Sequence, residues 1–188
     1  MRRYSLFNLL IGSLAAFGAA TARAQVGGSA TRSDQQLIAS AMAAAPASLS
    51  AGATVVVLNA DGTKRTLHSG TNGWTCVPGD PSTPGDDAMC ADPNGWQWLQ
   101  ALMEHRQPKE QTGVIYMLSN SATASNTDPF ATEPPAGGKW IFTGPALMIV
   151  GPAVRQLPGY VGGSEPDTRR PYVMWAGTAY EHLMVPTR

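Results

Sequence analysis

After residue 24 no stretch approaches the roughly 20 consecutive apolar residues that a membrane span requires, and no unit repeats at a fixed period. A spanning helix and a repeat array are therefore not expected. Charge is scarce as well: Asp, Glu, Lys and Arg make 14% of the 188 residues, against about 25% in an average domain. Of the 13 basic side chains, Arg2, Arg3 and Arg23 fall in a candidate leader, so 10 basic against 13 acidic groups leave a formal net charge of −3. Phosphate binding needs a concentrated positive face, and nucleic acid is not expected as a partner. Neither Gly-x-Gly-x-x-Gly nor a Walker loop is present, which argues against a nucleotide, and no cofactor is expected. Gly-x-Ser-x-Gly and Cys-x-x-Cys are also missing.

What the chain does have is glycine and proline, 20 and 15 residues, the composition of a loop-rich domain. Residues 1–24 carry the parts of a cleavable signal peptide in order: Arg2-Arg3, a mostly apolar run over 6–20, and Ala22-Arg23-Ala24 before Gln25. Gly27, Gly28, Ser29 and Thr31 follow in place of a stop-transfer cluster, and no cysteine lies near the cleavage point to take a lipid. Export to a bacterial periplasm is expected. Tyr4-Ser5 lacks the apolar residue that a twin-arginine signal wants, which favours the Sec route. Residues 25–32 read as a flexible lead-in and 33–188 as one globular domain, long enough to bury roughly 70% of its unfolded surface.

Cys76 and Cys90 stand 14 positions apart, and in an oxidising compartment they are expected to form a disulfide. Ser33 and Gln36 have capping-box form ahead of Leu37, Ile38, Ala41, Met42 and Ala45 on one helical face, with Pro46 as the stop. A first helix is expected over 34–45. Residues 54–58 and 64–68 flank Asn59-Ala60-Asp61-Gly62 as a hairpin. Trp96, Trp98, Leu99, Leu102 and Met103 fit a 3.6 period, predicting a second helix to about Arg106 with Asn94 and Gln97 as its cap pair. Residues 114–118 read as a strand buried on both faces. Residues 140–142 and 146–150 read as strand pieces with an edge or bulge at Pro145, and 172–176 with 180–185 as a terminal pair. The order predicts an α+β domain with a mostly antiparallel sheet, two short helices and long Pro/Gly-rich loops.

Two loops, 70–95 and 119–138, are long and hold turn formers and aromatics, the places where a rigid scaffold displays function. Asn72, Trp74, Asn126 and Asp128 are their candidate ligand-binding residues. Trp74 also reads as a packing element against the adjacent disulfide. For hydrolysis the candidates are Ser119, Asp128 and His182, with Asp128 and His182 expected within hydrogen-bond reach. For a metal they are His182 and Met184, which share one strand face, with His105 or Met148 as a further ligand. Met103 and His105 diverge by about 200° on a helix and do not converge alone. Asp80, Asp86, Asp87, Asp92 and Asn94 offer oxygens but lack the closing glutamate of a calcium loop.

The strings Gly70-Thr71-Asn72-Gly73-Trp74-Thr75-Cys76, Ala88-Met89-Cys90, Ser125 to Phe130, Pro171 to Thr178 and Tyr180 to Pro186 resemble those of a group of small uncharacterised exported bacterial proteins. The resemblance spans about residues 34–188. It implies a distinct family and no mechanism. The expected role is a periplasmic binding or accessory domain contacting a small molecule or an envelope protein, with a small hydrolase and a metal-binding protein as the alternatives. If the disulfide is the staple that the loop requires, Cys90→Ala lowers stability by about 3 kcal/mol, roughly 6–12 °C in melting temperature for a domain of this size. Reductant lowers the wild type equally and leaves the variant unchanged.

Overall fold

The computed structural model describes residues 32–59 and 63–187. The expected signal peptide, all of the lead-in but Arg32, and the hairpin tip at 60–62 lie outside the described residues. Arg32 is already anchored, its guanidinium donating to the Gly79 carbonyl at 2.5 Å.

Among the described residues there are three short α-helices, α1 Asp34–Ala43, α2 Ala47–Ser50 and α3 Pro93–Met103, with a 3-10 helix at Pro152–Gln156. The strands in chain order are β1 Thr54–Leu58, β2 Lys64–His68, β3 Thr75–Val77, β4 Met89–Ala91, β5 Gly113–Met117, β6 Ala122–Thr123, β7 Ile141–Phe142, β8 Ala146–Val150, β9 Tyr172–Met174 and β10 His182–Pro186. Eight of them form one sheet in the order β2-β1-β3-β4-β5-β8-β10-β9, while β6 and β7 pair separately. Only the β1–β3 contact is parallel. The architecture is α+β with a mostly antiparallel sheet, as the element order predicts.

Several local expectations are corrected. Pro46 does end the first helix, but its fixed φ serves equally as the N-cap of α2, so there are three helices where two were expected. The cap of α3 is Asp92, whose carboxylate accepts from the Gly95 N–H at 2.6 Å with Pro93 at the first helical position. Proline at that position loses only an N–H that has no intrahelical partner. Asn94 is thereby displaced from capping, and its amide donates to the Thr112 carbonyl. Strand β5 is not buried on both faces: Gly113, Ile115 and Met117 are buried, whereas Val114 and Tyr116 are half-buried. Gly144-Pro145 marks no edge. It is the crossing between β7 in the small sheet and β8, which lies between β5 and β10 in the large one.

The sheet has a core on each face. On one, Ala41 of α1 and its C-cap Ala44 pack with Val55, Cys76 and Cys90. Cys76 and Cys90 are directly opposed residues of β3 and β4 and are disulfide-bonded, both fully buried. On the other face Trp98 and Leu99 of α3 pack with Ile115, Met148, Tyr172, Met174, Tyr180 and Met184. Successive residues of a strand point to opposite faces, which is why Cys90 and Ala91 belong to different cores.

The seating of α3 depends on two glycines. A Cβ on Gly113 would stand 2.2 Å from the Gly95 nitrogen and 2.7 Å from its Cα, both backbone atoms that cannot rotate away. Gly95 lies one helical turn before Trp98, so this approach sets the depth of the indole. At the other end, His105 N–H bonds to the Leu102 carbonyl and Arg106 N–H to that of Ala101. These are the paired bonds of a Schellman ending, with His105 in the left-handed conformation usual for glycine, φ 52°.

Gly113→Ala pushes α3 off β5. Urea unfolding should show a loss on the order of 2 kcal/mol or more, the cost of overpacking against an unyielding backbone. The near-ultraviolet circular dichroism of the tryptophans should change with it. An unchanged midpoint and spectrum would contradict this seating.

Candidate functional site

A cavity of about 150 Å³ lies between α3 and the sheet. Its walls are mostly apolar: Leu99 and Leu102 from α3, and the methionines Met89, Met117, Met148, Met174 and Met184. Trp98, Trp175 and His182 complete the apolar end, while Asp87, Ser121, Thr123 and Thr143 bring polar groups.

Register explains the gathering. Strand β9 runs antiparallel to β10 with Met174 opposite His182, and β10 runs antiparallel to β8 with Met184 opposite Met148. All four side chains consequently project from one face, the face that α3 covers. The two indoles are nearly parallel, Trp98 to Trp175 at 6.4 Å with 10° between planes. The imidazole stands edge-on to both, 5.3 Å from Trp98 at 74° and 4.9 Å from Trp175 at 76°.

Trp175 is held in this position at a conformational cost. Its φ is 55°, a left-handed conformation that disfavours a bulky side chain. Two hydrogen bonds offset the strain: its backbone N–H donates to the Asn126 carbonyl at 2.8 Å and its indole N–H to the Ser125 carbonyl at 3.0 Å.

His182 is 0% exposed. Its Nδ1 lies 2.9 Å from the Tyr180 carbonyl oxygen, which can only accept, so Nδ1 carries the proton. In the neutral ring Nε2 is then the bare acceptor, and it has no partner. Burial pushes the pKa down from 6.5 to about 4, with the Tyr180 carbonyl acting weakly in the opposite direction. The ring is neutral at physiological pH. The indole N–H of Trp98 is a second buried group without a partner.

The loops flanking the polar end are tied to each other. The Asp87 carboxylate accepts from the Ala122 N–H at 2.8 Å and from the Thr83 hydroxyl, Asp86 N–H donates to the Asn120 carbonyl, and Ser121 Oγ donates to the Asp86 carbonyl. Asp87 is held above the usual carboxylate range by burial first, with Asp80 and Asp86 adding to it and its two hydrogen bonds acting against it.

The expected site residues are divided. His182, Met184 and Met148 meet in the cavity. Asp128 does not join His182: it is exposed, and its carboxylate accepts from the Phe130 N–H. Ser119 is half-buried just past β5 and lies outside the cavity wall. Asn126 is buried at the edge of the sheet, its amide donating to the Gly163 and Val173 carbonyls. Asn72 shapes its loop by donating to the Leu49 carbonyl and accepting from Trp74 N–H. Trp74 is half-buried against the disulfide core on the opposite face and touches Tyr116 with ring centroids 5.7 Å apart. His105 is exposed and stacks on Phe130 at 4.1 Å, away from the cavity. Of the loop acids, Asp80 caps Ser82 N–H and Asp92 caps α3. Among the described residues no three His, Cys, Asp or Glu side chains come together closely enough to hold a metal ion.

Sequence reasoning missed Trp175 and Met174. Tyr172 and Met174 have the same two-residue spacing as His182 and Met184, a signal for one face, but only the β9–β10 register places them opposite each other. No family model matches the chain, nor does any curated protein or solved structure.

The His182 shift sets a pH dependence in the ligand-free protein. The unfolded ring takes up a proton as pH falls through about 6.5 and the folded ring only near 4, so stability is full above pH 6.5 and declines between those values. The slope approaches 1.4 kcal/mol per pH unit and the total is on the order of 3 kcal/mol. Asp87 acts the other way, because its raised pKa favours the folded state as carboxylates protonate. The His182 contribution is therefore read between pH 6.5 and 5. Urea titrations across that interval should show the decline in wild type and a flatter profile in His182→Leu.

Proposed function

We propose that this chain is a periplasmic binding domain that holds a small ligand in the cavity beneath α3. The observation that carries the reading is the bare Nε2 of His182, fully buried at the apolar, aromatic-walled end of the cavity. Leaving a buried polar atom unpaired costs about 1–3 kcal/mol, and a leucine at this position would fill the space without that penalty. A ligand that engages Nε2 relieves the cost when it binds. The cavity is also about the size of the engineered cavity that admits benzene.

Other features support the same role. The strained Trp175 is fixed by the hydrogen bonds it donates to the Asn126 and Ser125 carbonyls, in keeping with strain concentrating at functional positions. The two long loops meet at the polar end, where a ligand would enter. Residues 172–186 supply Met174, Trp175, His182 and Met184, within the C-terminal strings by which the chain resembles a group of exported proteins. Membership of that group, and with it passage through a signal-dependent export route, are parts of this proposal. The buried disulfide is in keeping with an oxidising compartment. No helix among the described residues is long and apolar enough to cross a membrane.

Melting of the oxidised protein tests the reading. Phenol, benzene and soft monovalent ions form the panel: the first two match the cavity in size, phenol adds a donor for Nε2, and the ions match its sulfur lining. At least one should raise the melting temperature and alter tryptophan emission; a ligand at 100 times its Kd contributes about 2.7 kcal/mol. Ala122→Leu, which fills the cavity wall, should abolish the response. A protein indifferent to the whole panel, or a response that persists in Ala122→Leu, would sink the proposal.

A further inference from the structure

We propose that the ligand of this cavity is a soft monovalent metal ion of the Cu(I) class, held by Nε2 of His182 and the thioether sulfurs of Met148, Met174 and Met184. This rests on the binding reading above and names its ligand.

The juxtaposition comes from strand register. Met174 is directly opposite His182 across β9–β10, Met184 is two residues along β10, and Met148 is opposite Met184 and diagonal to His182 across β10–β8. Directly opposed residues of an antiparallel pair have Cα atoms about 4.5–5.5 Å apart, and diagonal neighbours are within reach of long side chains. One imidazole thus has a thioether directly opposite on β9, a second two residues along its own strand and a third diagonal on β8, where Val150 is the residue directly opposite, all on a single buried face.

The donor chemistry selects the ion. Thioethers are soft, neutral ligands and imidazole is borderline, a set that favours Cu(I) and gives little hold on magnesium, calcium or manganese, which take oxygen. Neutral donors do not offset a double charge, and a buried single charge is the less costly to desolvate. The hydrogen bond from Nδ1 to the Tyr180 carbonyl is the kind of outer contact that orients a metal-bound imidazole and leaves Nε2 free for the ion.

Packing alone accounts poorly for the composition. Five of the eight methionines of the chain line this one cavity. Their three rotatable bonds let the sulfurs swing toward an ion without moving the backbone. The parallel faces of Trp98 and Trp175 add negative π surface beside the imidazole, which attracts a cation. At the polar end stands Asp87, with Asp80 and Asp86 close enough to act on it electrostatically. That grouping favours entry of positive charge.

Silver(I) shares the charge and softness of Cu(I) without its redox chemistry and is the probe. The oxidised protein is titrated with silver nitrate in chloride-free buffer, followed by native mass spectrometry and by carbon-13 spectra of the methionine methyl groups. The expected result is one Ag(I) per chain, with shifts at Met148, Met174 and Met184 and none at Met103, which is 41% exposed and outside the cavity. Met148→Leu and Met184→Leu conserve volume, and each should weaken binding at least tenfold while melting close to wild type. His182→Phe should weaken it further; if that variant does not fold, the two methionine variants decide. Failure to bind one equivalent, shifts at Met103 in place of the cavity methionines, or unchanged affinity in both leucine variants would overturn the assignment. If phenol stabilises the protein while Ag(I) leaves the cavity methyls unmoved, the metal inference falls and the binding domain stands. If neither binds, both fall.

Discussion

The indole of Trp98 sits in the second turn of α3, 2% exposed, and touches Trp175, Tyr180 and His182 with its ring. Those three partners come from β10 and the turn that joins it to β9, so the helix and residues 175–182 take their positions together. Removing so large a buried side chain typically costs about 3–5 kcal/mol. Here it would also remove the wall against which the imidazole stands. The Gly95–Gly113 approach governs the same contact from the other end, since a helix lifted from β5 withdraws the indole.

The two faces of the sheet divide the work. One carries the disulfide, α1 and Trp74 and is stabilised by a cross-link between adjacent strands. The other carries α3, the methionines and His182, and its packing leaves room. Stapling on one face allows looseness on the other without loss of the sheet, because β4 and β5 contribute alternate residues to both cores.

Much of the secondary structure could be read from local chemistry. The β-branched run at 54–58 and the turn formers after it predict the hairpin, and the 3.6 period through Trp98 and Leu102 predicts α3. The cap of that helix was legible only once Pro93 is seen as its first residue, which makes Asp92 the N-cap and frees Asn94 for Thr112. The site was half legible. Alternation puts His182 and Met184 on one face from sequence alone, and Met148 could be suspected. Met174 and Trp175 could not, because their place depends on which strand pairs with β10, and that is set by contacts distant in sequence. The pairing of Asp128 with His182 fails because the two are placed differently: Asp128 is exposed and turned into its own loop, accepting from the Phe130 N–H, whereas His182 is fully buried.

Strand order follows chain order closely through β5, which allows the sheet to grow at its edge from the N-terminal side, with modest loop closure at each addition. The end is different. Strand β10 is the last in sequence and pairs with both β8 and β9, while β9 pairs with β10 alone, so the two join the sheet together as a hairpin on the β8 edge. The imidazole and one of the thioethers ride on β10. Until that hairpin is in place the cavity lacks the wall made by Met174, His182 and Met184, and a molecule bound there would hold the hairpin against detachment. Occupancy would then slow unfolding more than it speeds folding, making the bound protein long-lived even where its equilibrium stability is ordinary.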